Sequence, residues 1–192
     1  MRHPKADLPI ALTEKFATLK LLVCDVDGVL TDGRLTYSDG GESTKTFHVH
    51  DGMGLRLLME NGVEVAIITA RSGAAVAKRM SDLKIKHVAQ GRGDKGVALR
   101  ELMDSLGIAA EHTAYIGDDV LDLPALRMAA VGVTVANGHV AVRAEADFIT
   151  SATGGNGAVR ELADAILEAK VGLAAAIEAV LERAAAATRA KV

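Results

Sequence analysis

Short apolar runs alternate with stretches of helical periodicity along most of the chain. Leu21-Leu22-Val23-Cys24 runs straight into Asp25, Val26, Asp27 and Gly28. An unbroken apolar run of this length predicts a strand buried on both faces, as in a parallel sheet. Apolar runs at 63–69, 87–89, 113–116, 131–135 and 147–149 predict five more strands. Between them the pattern predicts a helix capped by Asp51 and stopped by Gly62, then helices over 74–83 and 97–106. A shorter helix follows Asp119, punctuated by Asp122 and Pro124. Strand and helix alternating in this way predict an α/β fold: a doubly wound, mainly parallel sheet with helices on both faces.

Two stretches depart from the alternation. Residues 34–49 carry β-branched and aromatic positions on either side of Ser38-Asp39-Gly40-Gly41, which predicts a β-hairpin flap inserted after the first strand. After Gly154-Gly155-Asn156-Gly157, apolar residues from Val159 to Leu181 recur at helical spacing, with Gly172 as an expected kink and fraying expected after about 183. No repeat and no long linker divides the chain. The expectation is one domain over 1–192, with a core of about 18–170, the flap at 34–49 and a helical tail at 171–192. A short helix over 13–18 leads in.

Composition narrows the function. Apolar residues make up 49% and charged residues 24% of 192, an ordinary globular mix. Aromatics are 3% and the net charge is −3, which argues against nucleic-acid binding. No apolar stretch is long enough to cross a membrane, and residues 1–12 lack an apolar signal core. The single cysteine, Cys24, fits a reducing, cytoplasmic setting and reads as packing.

The chemistry gathers at strand ends. Asp25 and Asp27 lie two apart, so both point to the same side beyond the first strand. Thr69 closes the second long apolar run, Lys95 follows the next, and Asp118 and Asp119 follow 113–116. Ligands bind beyond the carboxyl ends of such strands. Several carboxylates in one place call for a hard cation, and an all-oxygen site suits Mg²⁺. A hydroxyl and a lysine beside that metal describe a phosphoryl cradle, and the whole set suits phosphoryl transfer to a carboxylate.

The strings Asp25-Val26-Asp27-Gly28-Val29-Leu30-Thr31, Thr69, Lys95 and Gly117-Asp118-Asp119-Val120-Leu121-Asp122 resemble the four motifs of the haloacid dehalogenase-like hydrolases. Longer strings, among them Asp51-Gly52-Met53-Gly54, Ala66-Ile67-Ile68-Thr69-Ala70-Arg71 and Gly155-Asn156-Gly157-Ala158-Val159-Arg160-Glu161, resemble that superfamily's sugar-acid branch, the 3-deoxy-D-manno-octulosonate 8-phosphate phosphatases. The resemblance spans about 18–170. It implies Asp25 as nucleophile and Asp27 as proton donor and acceptor. The metal would be held by the Asp25 side chain, the Asp27 carbonyl and Asp118. Thr69 and Lys95 would bind the phosphoryl group. Gly28, Thr31, Arg71 and Arg160 join as substrate contacts, and Asp119 and Asp122 as outer residues. It further implies a small sugar phosphate substrate and a place in lipopolysaccharide precursor synthesis. The spacing between motifs leaves no room for a cap domain, and the resemblance also implies a homotetramer. The flap and a neighbour's C-terminal segment would then complete the site.

Two positions depart from the family pattern. Ala70 stands where Thr-Gly-Arg is usual, and His50 where an arginine commonly precedes Asp51-Gly52. His48 and His50, two apart on an expected strand face, could make a zinc pair, but read as strand-end polar residues. Other readings stay open: a phosphatase of nine-carbon sugar acid phosphates, or a phospho-accepting signalling or scaffold protein without turnover. The Asp25-x-Asp27 pair favours turnover, since a phospho-accepting receiver generally keeps its acidic pair and its acceptor on different strands and lacks a leaving-group acid two residues after the nucleophile.

Overall fold

A computed structural model describes residues 8–189. Six strands form one parallel sheet in the order β5-β4-β1-β6-β7-β8. They are β1 (Leu21–Cys24), β4 (Glu64–Ile68), β5 (His87–Ala89), β6 (Thr113–Ile116), β7 (Val131–Thr134) and β8 (Phe148–Ile149). β1 and β6 are buried at every residue, because both of their faces are covered, and hence the apolar runs. Leu22 and Cys24 face one core, with α1 (Ile10–Thr18), α2 (Val49–Glu60), α3 (Ala74–Asp82) and α7 (Ala158–Lys170). Leu21 and Val23 face the other, with α4 (Lys95–Leu106), α5 (Leu123–Met128) and α6 (Val140–Arg143).

This division places the site. From β1 the chain winds outward through β4 and β5 with helices on one face. It then crosses the sheet and winds through β6, β7 and β8 with helices on the other. The strand order therefore reverses between β1 and β6, and the loops after those strands diverge to leave a crevice. The two acidic motifs follow these two strands.

The ribbon of β2 (Thr36–Ser38) and β3 (Gly41–Thr44) stands apart as a two-stranded antiparallel sheet, exposed along β2. It is shorter than the flap expected at 34–49, because α2 begins at Val49 with His48 at its cap. Asp51, expected to cap α2, is instead its third residue. His48 and His50 accordingly do not share a strand face. His50 is in the first turn of α2, their rings meet edge to face at 5.0 Å, and among the described residues no metal-type cluster includes a histidine.

The C-terminal region is two helices rather than one kinked helix. Gly172, at φ +82°, separates α7 from α8 (Leu173–Arg189), since a left-handed residue ends a helix instead of bending it. The backbone of α8 stays helical past the expected fraying point, while residues 190–192 lie outside the described residues. At the C-terminal end of α7, Lys170 donates to the carbonyls of Ala17 and Leu19 and so closes the last turn of α1.

Candidate active site

The loop after β1 is wound tightly by its own backbone. The amide of Asp25 donates to Ile116 of β6 at 3.0 Å, which carries the strand pairing up to the carboxylate. The carbonyl of Val26 then accepts from the amides of Val29, Leu30 and Thr31. The Thr31 hydroxyl also donates to Val26 and accepts from Gly33, so this expected substrate contact is bound up in the loop itself. Gly28, at φ +82°, sits against Asp118, and a methyl group there would fall on the Asp118 carboxylate.

Asp25, Asp118 and Asp122 bring carboxylate oxygens within 4.8 Å of one another, so this cluster could hold a cation. Its electrostatics point the same way. Burial, then the charge of Asp122, pushes Asp25 up to about 6 despite the nearby Lys95. Burial, then Asp122 and Asp25, pushes Asp118 up to about 7. Carboxylates crowded this way relax when a cation joins them.

Lys95, the first residue of α4, is 2% exposed and lies 2.8 Å from both Asp25 Oδ2 and Asp122 Oδ1. Burial disfavours its ammonium, but the two carboxylates outweigh that and raise its pKa. Asp122 differs from the other two acids. Its Oδ1 accepts from Lys95 and, at 2.6 Å, from the Tyr115 hydroxyl, while its Oδ2 accepts from the amides of Asp118 and Asp119. Both of its oxygens are thus employed in holding the β6 loop and Lys95. Asp119 accepts from the Val120 amide and is the cap of the short turn that follows.

Thr69 is buried just past β4 and is held by its backbone: its amide donates to Ala89 and its carbonyl accepts from Arg92. Arg71 is exposed two residues on. Ala70 and His50 are exposed as well. Arg160 lies in the first turn of α7 with its guanidinium on Asp164 of the same helix at 2.7 Å. Asp27 ion-pairs with Lys45, on the chain just past β3.

Residues 87–162 match the model of a haloacid dehalogenase-like hydrolase family. The 3-deoxy-D-manno-octulosonate 8-phosphate phosphatase of Haemophilus influenzae is 42% identical over 159 residues, covering 83% of this chain and 88% of the relative. The chain belongs to that phosphatase family. Among solved structures of the family, the phosphatase from Moraxella catarrhalis, in complex with magnesium, phosphate and KDO, superposes with a TM-score of 0.85 at 47% identity. That match covers 88% of this chain and 97% of that one. A cobalt-bound form from Haemophilus influenzae gives a TM-score of 0.80 at 42% identity, covering 81% and 91%. The fold expected of these capless octulosonate phosphatases is the fold observed.

Sequence reasoning missed three residues of this family member's site region. Lys45 sits in a Thr-Lys-Thr stretch that reads as exposed strand. Tyr115 belongs to the apolar run of β6, and only its lone hydroxyl hinted at a buried partner. Asn137 accepts from the Gly154 amide and fixes the glycine loop beside the site. None of the three carries a spacing signal.

Proposed function

We propose that this chain is a Mg²⁺-dependent phosphatase that hydrolyses 3-deoxy-D-manno-octulosonate 8-phosphate to the free sugar acid and phosphate. The observation that carries the reading is the cluster of Asp25, half-buried Asp118 and Asp122 at the sheet's switch point, with buried Lys95 2.8 Å from Asp25, in a chain of this family. Asp25 attacks phosphorus and forms an aspartyl phosphate, while Asp27 gives its proton to the leaving sugar oxygen. Asp27 then takes a proton from the attacking water, and the acyl phosphate is cleaved to phosphate and free Asp25. Lys95 and Thr69 hold the phosphoryl oxygens as charge builds on them.

Magnesium fits this donor set, since hard oxygens and raised carboxylate pKa values favour a small divalent cation. Asp25, the Asp27 carbonyl and Asp118 would hold it, and it would neutralise phosphoryl charge. Asp122, with four hydrogen bonds already made, serves as the outer residue that orients Lys95 and the β6 loop. Asp119 is likewise an outer residue. Gly28 lets the loop approach Asp118, and Arg71 reaches for the sugar carboxylate.

The assembly proposed is a homotetramer. An isolated two-stranded ribbon is marginal in water, yet β2 is fully exposed here, with Tyr37 63% exposed. Packing ribbons from neighbouring copies would cover them and close a site that has no cap of its own, with Arg160 offered from a neighbour. No described helix is long and apolar enough to cross a membrane. A cytoplasmic enzyme of lipopolysaccharide precursor synthesis follows from the substrate.

Phosphate release from a panel of sugar phosphates tests the substrate. The eight-carbon sugar acid 8-phosphate should be preferred over nine-carbon acids and over phosphates lacking a carboxylate. Preference for a nine-carbon acid would move the assignment to that class.

A further inference from the structure

The ribbon is fastened to the site by a lysine that the reaction, as described, does not use. Lys45 lies one residue past β3, at the root of an element whose other strand is exposed throughout. Its side chain is nevertheless only 4% exposed, and its ammonium pairs with Oδ1 of Asp27. Lysine is almost never buried so far without a charged partner, because its desolvation must be offset by an ion pair. Asp27 supplies such a partner. Asp27, for its part, sits on a loop wound by backbone hydrogen bonds to the Val26 carbonyl, and its own carboxyl group accepts from Lys45.

We infer that Lys45 is a positioning residue for the reaction: its ammonium fixes the Asp27 carboxyl group beside the phosphoryl site and couples the placement of the ribbon to proton transfer. A proton donor has to stand within hydrogen-bond reach of the leaving oxygen, and a misplacement of about 1 Å costs on the order of 10²-fold in rate. A side chain on a short loop is held to that tolerance only when something else grips it. Here the grip comes from the ribbon, so whatever seats the ribbon also seats Asp27. The inference rests on the reading of Asp27 as the group that moves the proton.

The two ideas separate in one set of measurements on the full-length protein. kcat/KM is measured for the sugar 8-phosphate, an alkyl ester whose leaving oxygen needs a proton, and for para-nitrophenyl phosphate, whose phenolate leaves without one. Lys45→Met, Lys45→Arg and Asp27→Asn are compared, with Lys45→Met also placed in the Asp27→Asn background. Lys45→Met is expected to lose about 10- to 100-fold in kcat/KM on the alkyl ester and far less in kcat/KM on the aryl ester, since kcat/KM ends at formation of the aspartyl phosphate that both esters share. Lys45→Arg keeps the charge at a different reach and should fall between, with the same ester dependence. It carries the test if the methionine variant fails to fold. In the Asp27→Asn background, Lys45→Met should change nothing further. An equal loss on both esters, or the same loss without Asp27, would show that the lysine acts on substrate or on the fold and would overturn the inference. Full sugar phosphate activity in Asp27→Asn would instead overturn the reading of Asp27 itself. Loss in Asp27→Asn with a silent Lys45→Met would overturn the inference alone.

Discussion

The carboxylate of Asp51, in the first turn of α2, accepts a hydrogen bond at 2.8 Å from the backbone amide of Arg160, in the first turn of α7. The amides of Gly157 and Val159 pull on the same carboxylate. Gly157, at the cap of α7, has no side chain to do this work, so one helix is capped by another that lies 109 residues earlier. Asp51 is 1% exposed, and burial raises its pKa against those hydrogen bonds. Asp51→Ala should therefore cost about 2 kcal/mol, from the lost cap and the orphaned amides. For a chain of this size that lowers Tm by roughly 4–8 °C. Thermal unfolding of the magnesium-loaded protein measures it, and an unchanged Tm would show that the cap is dispensable.

Gly28 offers a sharper probe of the site, since its φ of +82° is strained for any side chain and its missing Cβ leaves room for the Asp118 carboxylate. Gly28→Ala should displace Asp118 and weaken magnesium binding at least tenfold, by the sensitivity of metal ligands to their supports. A magnesium titration of activity reads this directly. A wild-type midpoint would mean that Asp118 does not hold the metal.

Asp122→Asn keeps the shape and removes the charge. An amide has one acceptor oxygen, so it cannot accept from Lys95, Tyr115 and two backbone amides together. Lys95 would keep Asp25 alone as its partner. We expect magnesium affinity or activity to fall about 10- to 100-fold while the fold is retained. If the variant binds magnesium as the wild type does, the outer role assigned to Asp122 is wrong.

Metal and protons compete at this site. In the metal-free protein Asp25 is pushed up to about 6 and Asp118 up to about 7, above an ordinary carboxylate. Groups raised on folding stabilise the native state below their unfolded pKa, and that contribution is lost as pH rises through the folded values. The metal-free protein should thus lose stability between about pH 4 and 7, and magnesium should restore it by replacing the protons. The gain in Tm on adding magnesium should be larger at pH 7.5 than at pH 5.5. An equal gain at both would contradict the raised carboxylates.

The sheet was legible because strands buried on both faces must be apolar throughout, and β1, β4, β6 and β7 announce themselves in that way. The motif carboxylates were legible because each follows such a strand. Contacts between distant segments were not. The motif containing Asp51 and the one containing Gly157 and Arg160 are both visible in the sequence, yet nothing in either says that one caps the other. Gly154 and Gly155 mark only the lead into the C-terminal helical region in the sequence, whereas they are glycines because the loop after β1 lies against them: side chains there would meet the backbone of Gly28 and of Thr31 and Asp32. Helix starts also misled. Asp51 is a favoured cap residue, but its carboxylate is committed to α7, and α2 begins two residues earlier than Asp51 under His48. Lys45 escaped because a lysine in a polar strand looks solvated until its partner is known.

Asp25 as the nucleophile is the assignment on which the proposed chemistry turns. Phosphate release from 3-deoxy-D-manno-octulosonate 8-phosphate is measured with magnesium for the wild type and for Asp25→Asn, with folding checked by thermal unfolding. The account predicts turnover by the wild type that EDTA abolishes, and a loss on the order of 10³-fold or more in the folded variant, since an amide cannot form the acyl phosphate. Folded Asp25→Asn releasing phosphate at the wild-type rate would contradict it.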